Sequence, residues 1–276
     1  MSKIISFGIC MVATLCLPAH AMTIGFADSN GRPIEKAEKT PRLLLSGVIE
    51  PGDDDRLQVF VYHNARNLRA DPQPPIRVYL DSPGGDVEEA SEIAATLREM
   101  MARVVVGGNM VCASSCFLLF INAPIHVAMG RIAVHRPYLS PAKEQSLGAA
   151  DAARVHNSVY RSIRKWLQDR MVPQPIIERL LSAPSTEAYV LTAEDLAAIG
   201  DRAAWYEEWL VARCPDYLHA EKEANVAFDQ GREPNEQYAA AVDCELDALG
   251  PEVAKGIMSI SSSGLKKLPD VLLTFR

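Results

Sequence analysis

Residues 76–108, IRVYLDSPGGDVEEASEIAATLREMMARVVVGG, decide the fold. Ile76 to Leu80 is a β-rich apolar run, and Arg103 to Val106 is a second. Between them Val87, Ala90, Ile93, Ala94, Leu97 and Met101 recur at helical spacing, the stripe of a helix with one buried face. A strand, a helix and a second strand in this order imply a right-handed parallel crossover, and so an α/β fold. The join between first strand and helix is Ser82-Pro83-Gly84-Gly85. Glycines there permit positive φ and can aim backbone N–H groups at a ligand beside a helix N-terminus.

Upstream, Arg42 to Ile49 (RLLLSGVI) reads as another strand, closed by Pro51-Gly52. Asp53 to Asp55 suit the first turn of a helix, and Leu57, Phe60, Val61, Asn64 and Leu68 continue it until the proline-rich segment 71–75. Downstream, Cys112-Ala113-Ser114-Ser115-Cys116 is a turn of small residues running into apolar FLLF. Ile132 to His135 follows as a strand, and His135 falls where strand becomes loop. Residues 145–171 read as a long helical stretch stopped by Pro173 and Pro175. From Ala203 the pattern is helical at 205–213, 217–229 and 234–249, and a tail follows that includes Ser261 to Ser263.

The N-terminus has the layout of a secretory leader: Lys3, an apolar run from Ile4 to Leu17, then Ala19-His20-Ala21 as a small-x-small cleavage pattern. The run is short for about 30 Å of hydrocarbon, and no later stretch is long and apolar enough to span. The expected organisation is a signal peptide at 1–21, a flexible mature N-terminus at 22–40, an α/β domain at 41–202 and a C-terminal helical extension at 203–276. The mature protein is expected to be exported, periplasmic or secreted, with no membrane span after cleavage.

Of the six cysteines, Cys10 and Cys16 leave with the leader. Cys112, Cys116, Cys214 and Cys244 remain, and an oxidising compartment permits disulfides, most simply Cys112 with Cys116 and Cys214 with Cys244. Paired CxxC knuckles are absent, so no metal site is expected. A net charge of −7 argues against a nucleic-acid binder, because phosphate neutralisation needs a basic face. There is no GxxxxGK[ST] loop, so ATP is not implied, and no cofactor is expected.

Taken in order, LLLSGVI, RVYLDSPGGDV, RVVVGG, CASSCFLLF and GRIAVHRP resemble the proteolytic subunit of the Clp protease over roughly residues 42–200. The resemblance is closer still to exported relatives that carry a C-x-S-x-C nucleophile turn. It implies the Clp/crotonase fold, a spiral of stacked ββα units, and a homo-oligomer. Carried over by motif, Ser114 is the nucleophile and His135 the general base. Gly85, perhaps with Gly84, supplies one oxyanion N–H, and Ser115 supplies the other. Ser115 stands as the alternative nucleophile. The family's aspartate falls on Ala188, which leaves Glu187 as candidate acid, with Asp86 and Asp195 as further possibilities. The function this implies is an ATP-independent serine peptidase acting on peptides or unfolded polypeptide. The alternative is a non-catalytic member that binds a peptide or a partner protein in the same groove.

Overall fold

The computed structural model describes residues 22–69, 75–139, 141–184 and 186–274. The expected leader, 1–21, lies outside them.

The chain opens with β1 (Thr23–Ala27), β2 (Pro33–Ile34) and β3 (Arg42–Ser46), followed by α1 (Asp53–Arg69), β4 (Arg77–Asp81), α2 (Val87–Glu99) and β5 (Arg103–Val106). These three helix-linked strands pair in parallel, β3 with β4 and β4 with β5, and β7 (Ile125–Ala128) extends the set beyond β5. The main sheet has the order β2-β1-β3-β4-β5-β7. A second, smaller sheet holds β6 (Val111–Ala113), β8 (Arg131–Val134) and β9 (Tyr189–Val190) in the order β6-β8-β9. A main-sheet strand, a short second-sheet strand and then helix α3 (Cys116–Asn122) form one ββα unit. β7 and β8 begin the next, which continues into α4 (Pro141–Leu147) and α5 (Ala149–Gln168). The architecture is α/β, as expected.

Strand alternation divides the burial. Leu43, Leu45, Val78, Leu80, Val104 and Val106 enter the principal core, where Leu57, Ile93 and Leu97 meet them from α1 and α2. The opposite side carries Leu44, Tyr79 and Val105, packed with Ala27 and Met110. At the start of α1, Glu89 from α2 accepts Gly52 N–H at 3.0 Å and Asp54 N–H at 2.6 Å. A carboxylate from one helix thus caps the orphan donors of another.

Residues 22–40 depart from the flexible segment expected of them. β1 pairs antiparallel with β3 through Ile24↔Leu45 and Phe26↔Leu43. Asp28 then closes a hairpin by accepting Asn30 N–H at 2.8 Å and Arg32 N–H at 2.9 Å. Met22, just before β1, and Phe26 within it are buried against the sheet, and that burial outweighs the polar composition of the surrounding residues.

After α6 (Gln174–Ser182), β9 and α7 (Ala193–Ile199) come α8 (Ala204–Arg213), α9 (Tyr217–Asp229) and α10 (Glu236–Thr274). The helix expected at 145–171 is divided at Gly148, where φ is +74°. The tail expected after residue 249 is helical, because α10 continues through Pro251. Its Leu249, Val253, Ile257 and Ile260 belong to the same core as Leu57 and Leu97, so the C-terminal helices complete that core rather than standing apart from it. Tyr206 is wholly buried and donates to Glu245 Oε1 at 2.6 Å, tying α8 to α10. Cys214 and Cys244 form the expected disulfide, closing a loop of 30 residues; such a closure is worth about 3–4 kcal/mol in the chain-entropy account.

Glycine is required where α10 crosses α1. A Cβ at Gly264 would run into the Gln58 carbonyl. Gly264→Val should therefore undock this end of α10 and lower stability by about 1–3 kcal/mol. Urea denaturation would measure the loss, and an unchanged midpoint would contradict this packing.

Candidate active site

The serine turn is built where β6 ends and α3 begins. β6 lies parallel to β8 with Cys112 opposite Ile132 and Ala113 opposite Ala133. Ser114 follows directly and donates its N–H to the Ala133 carbonyl at 2.9 Å. Its φ is +56°, a left-handed conformation that costs a non-glycine residue on the order of 1 kcal/mol or more. The surroundings hold it there. Phe117 N–H closes the turn onto the Ser114 carbonyl at 3.0 Å, and the buried Cys112–Cys116 disulfide brackets it. Ser114 stays partly exposed while Ser115 is buried, so the two candidate nucleophiles differ in their access to a substrate.

The SPGG loop lies against this turn. Ser82 pairs with Cys112 by a parallel bridge, and Gly85 pairs with Ile49. Ile49 N–H donates to the Gly84 carbonyl at 3.0 Å, and Asp86 N–H donates to the Ile49 carbonyl at 2.9 Å. At Gly84, where φ is +94°, a Cβ would meet the Ala113 carbonyl oxygen and Ser114 Cβ, each at 2.6 Å. Only glycine allows that approach.

The amides expected to face a ligand are engaged inside the protein. Gly84 N–H donates to Ser82 Oγ at 3.1 Å, and Gly85 N–H donates to Ser115 Oγ at 2.8 Å. The Ser115 hydroxyl in turn donates to the Gly85 carbonyl at 3.1 Å. A serine following the nucleophile position has a hydroxyl short enough to fill this gap, which explains the departure from the expected oxyanion arrangement. The Ser115 N–H, by contrast, has no acceptor among the described residues.

His135 follows the last residue of β8, so it leaves the same end of the parallel pair as Ser114. Its Nδ1 lies 2.8 Å from the Arg136 carbonyl. A carbonyl only accepts, so Nδ1 carries the proton and the Nε2 lone pair is free to act as a base. No hydrogen bond joins His135 to Ser114 Oγ among the described residues.

Among the described residues no carboxylate is hydrogen-bonded or ion-paired to the imidazole. In the antiparallel β8–β9 pair Val134 faces Tyr189, so the next position, opposite His135, is Ala188. Glu187 is exposed, its N–H closes a turn onto the Pro184 carbonyl at 3.1 Å, and among the described residues no hydrogen bond or ion pair joins its side chain to His135. Glu187 thus stands one residue out of register with the position opposite His135. Asp86 caps α2 by accepting Glu89 N–H. Asp195 is buried and accepts from Arg179, from the Tyr189 hydroxyl at 2.8 Å and from Thr192 N–H at 3.0 Å. Burial opposes ionisation of Asp195, yet these donors outweigh it and hold the carboxyl below its usual range.

Three contributors escaped sequence reasoning: the Arg136 carbonyl, Ile49 as brace of the glycine loop, and Asp195 as brace of β9. Only the last had a readable signal, since Thr192 and Asp195 stand at the spacing of a reciprocal helix cap. Among the described residues no group of three or more His, Cys, Asp or Glu side chains could hold a metal ion. No described helix is long and apolar enough to cross a membrane.

No curated protein shows significant similarity to the chain. Among solved structures, ClpP1 from Listeria monocytogenes is 17% identical with a TM-score of 0.41, covering 58% of this chain and 86% of that one. A mutant of the same protein is 19% identical with a TM-score of 0.40 over the same shares. A mutant of the 1510-N membrane-bound stomatin-specific protease is 17% identical with a TM-score of 0.42, covering 62% and 82%. The family model described as Clp protease matches residues 61–193, just under half of the chain. Over that stretch, which holds the SPGG loop, the serine turn and His135, the chain is similar to the Clp protease family.

Proposed function

We propose that this chain is an exported, ATP-independent serine peptidase of the Clp protease type, with Ser114 as nucleophile and His135 as general base. One observation carries the reading: a partly exposed serine, held left-handed by a disulfide-bracketed turn, leaves the same end of a parallel strand pair as a histidine with a free Nε2. The Ser114 hydroxyl attacks the acyl carbon of a peptide bond and its proton passes to His135 Nε2. The imidazolium then protonates the leaving amine, and water releases the acyl group by the same route. The Ser115 N–H supports the oxyanion, and Gly85 N–H joins it once released from the Ser115 hydroxyl. Catalytic hydrogen bonds often close only when substrate arrives. The Arg136 carbonyl takes over the orienting task of a triad acid. The leader supports export, as does the pairing of both cysteine couples. A homo-oligomer belongs to the same proposal. Val155, Val159 and Tyr160 on α5 are only partly buried, leaving apolar surface for a second copy.

The non-catalytic alternative, peptide binding in the same groove, draws on one observation, the Gly85 N–H already held by Ser115. A fluorophosphonate probe separates the two. The wild type and Ser115→Ala should be labelled and Ser114→Ala should not. His135→Ala should slow labelling by about 10²-fold or more, the usual contribution of a general base. Equal labelling of wild type and Ser114→Ala, or peptide binding without labelling of either, would favour the alternative.

A second outcome concerns the acid and the glycine loop. Glu187→Ala should leave the labelling rate within about twofold, because a free side chain contributes nothing to an imidazole it does not touch. Gly84→Ala should abolish labelling by pushing the loop off the serine turn. A large loss in Glu187→Ala would mean that the carboxylate reaches His135 in the working enzyme.

A further inference from the structure

At the far end of α2 from the SPGG loop, about 18 Å along the helix at about 1.5 Å per residue, the C-terminal helices close over a cleft of about 490 Å³. Two arginines line it, Arg98 from α2 and Arg170 just beyond α5. The Arg98 guanidinium lies over the Trp205 ring, 4.2 Å from its centroid. Arg170 lies 3.5 Å over Trp166, with Nε donating to Asn122 Oδ1 at 2.8 Å and Nη1 to the Trp166 carbonyl at 3.1 Å. Its position is thus set by neutral acceptors, and Nη2 is left over.

Neither guanidinium is ion-paired with a carboxylate among the described residues. Glu252, which also lines the cleft, is turned toward Arg213 at 3.7 Å and Lys255 at 3.8 Å. Burial and the nearby Arg98 charge push Arg170 down to about 10. The two guanidinium groups face one space, and neither is paired by the carboxylates that share it, so a bound anion would relieve their mutual repulsion. Guanidinium forks favour a planar, bidentate carboxylate. Trp205, Trp209, Met101 and Ala95 add apolar wall beside the charges, and Glu99 and Glu252 disfavour an ion with two negative charges.

We propose that this cleft binds the C-terminal carboxylate of a peptide, with the last side chain, an apolar one, seated against Trp205 and Trp209. The carboxylate lies between Arg98 and Arg170 Nη2. The site is independent of the serine turn, so its occupancy does not depend on whether Ser114 is catalytic.

The three tryptophans of the chain all lie in this region, Trp205 and Trp209 in the wall and Trp166 beneath Arg170. Intrinsic fluorescence therefore reports binding. N-acetyl-leucine should give a saturable change, and N-acetyl-leucinamide, which lacks the charge, should bind at least about tenfold more weakly. Arg98→Gln, a substitution at an exposed side chain, should weaken N-acetyl-leucine about fivefold or more with an unchanged far-UV spectrum. Ser114→Ala should bind as the wild type does. Equal responses to acid and amide would overturn the proposal, as would saturation by inorganic phosphate but not by N-acetyl-leucine. Wild-type affinity in Arg98→Gln would overturn it as well.

Discussion

The site hangs on one backbone hydrogen bond, from Ser114 N–H to the Ala133 carbonyl at 2.9 Å. It continues the β6–β8 ladder for one residue beyond the strand and fixes the direction in which the chain leaves it. Because the strands are parallel, Ser114 and His135 depart from the same end. An antiparallel pairing would have sent them to opposite ends of the small sheet. The left-handed twist at Ser114, the disulfide around it and the glycine loop against it all presuppose that pairing. A buried amide or carbonyl left unmatched here would cost about 1–3 kcal/mol, a large fraction of the stability of an ordinary domain.

Around this turn the protein spends its polar groups on holding backbone in place. Ser115 gives its hydroxyl to Gly85, Glu89 caps α1, Asp195 braces β9 beside His135, and Arg136 fixes the imidazole tautomer. The site that results is tightly supported yet lacks a carboxylate on its base. The orienting part of a triad acid's work is geometric and a carbonyl can do it. The electrostatic part, stabilising an imidazolium, is done far less well by a neutral dipole. The proposed peptidase is accordingly expected to turn over slowly.

The repeated strand and helix periods, the acidic first turn of α1 and the glycine loop were legible in the sequence, because each is a local pattern with a local cause; the cysteine pairs were legible from their count and the expected oxidising compartment. The strand at Thr23–Ala27 was not. Its alternation is only five residues long and acquires meaning once β3 offers an edge to pair with. The helical tail was equally hidden, since Gly250-Pro251 and a run of serines argue for a break. Packing against α1 and α2 overrides that local preference. At the site, Ala188 announced the missing acid, but nothing local indicated that the Arg136 carbonyl would lie against His135 Nδ1. Nor could spacing reveal that Ser115 would occupy the Gly85 amide, a contact between residues 30 apart in the chain.

The most direct measurement is a crystal structure of the protein after reaction with a peptidyl phosphonate. Convergence of serine, imidazole and glycine amide predicts a covalent bond from phosphorus to Ser114 Oγ. Its phosphoryl oxygen should accept from Ser115 N–H, His135 Nε2 should lie within hydrogen-bond reach of the adduct, and Gly85 N–H should have turned away from Ser115 Oγ. An adduct on another residue would contradict the account, as would unmodified Ser114 with the Gly85–Ser115 bond intact.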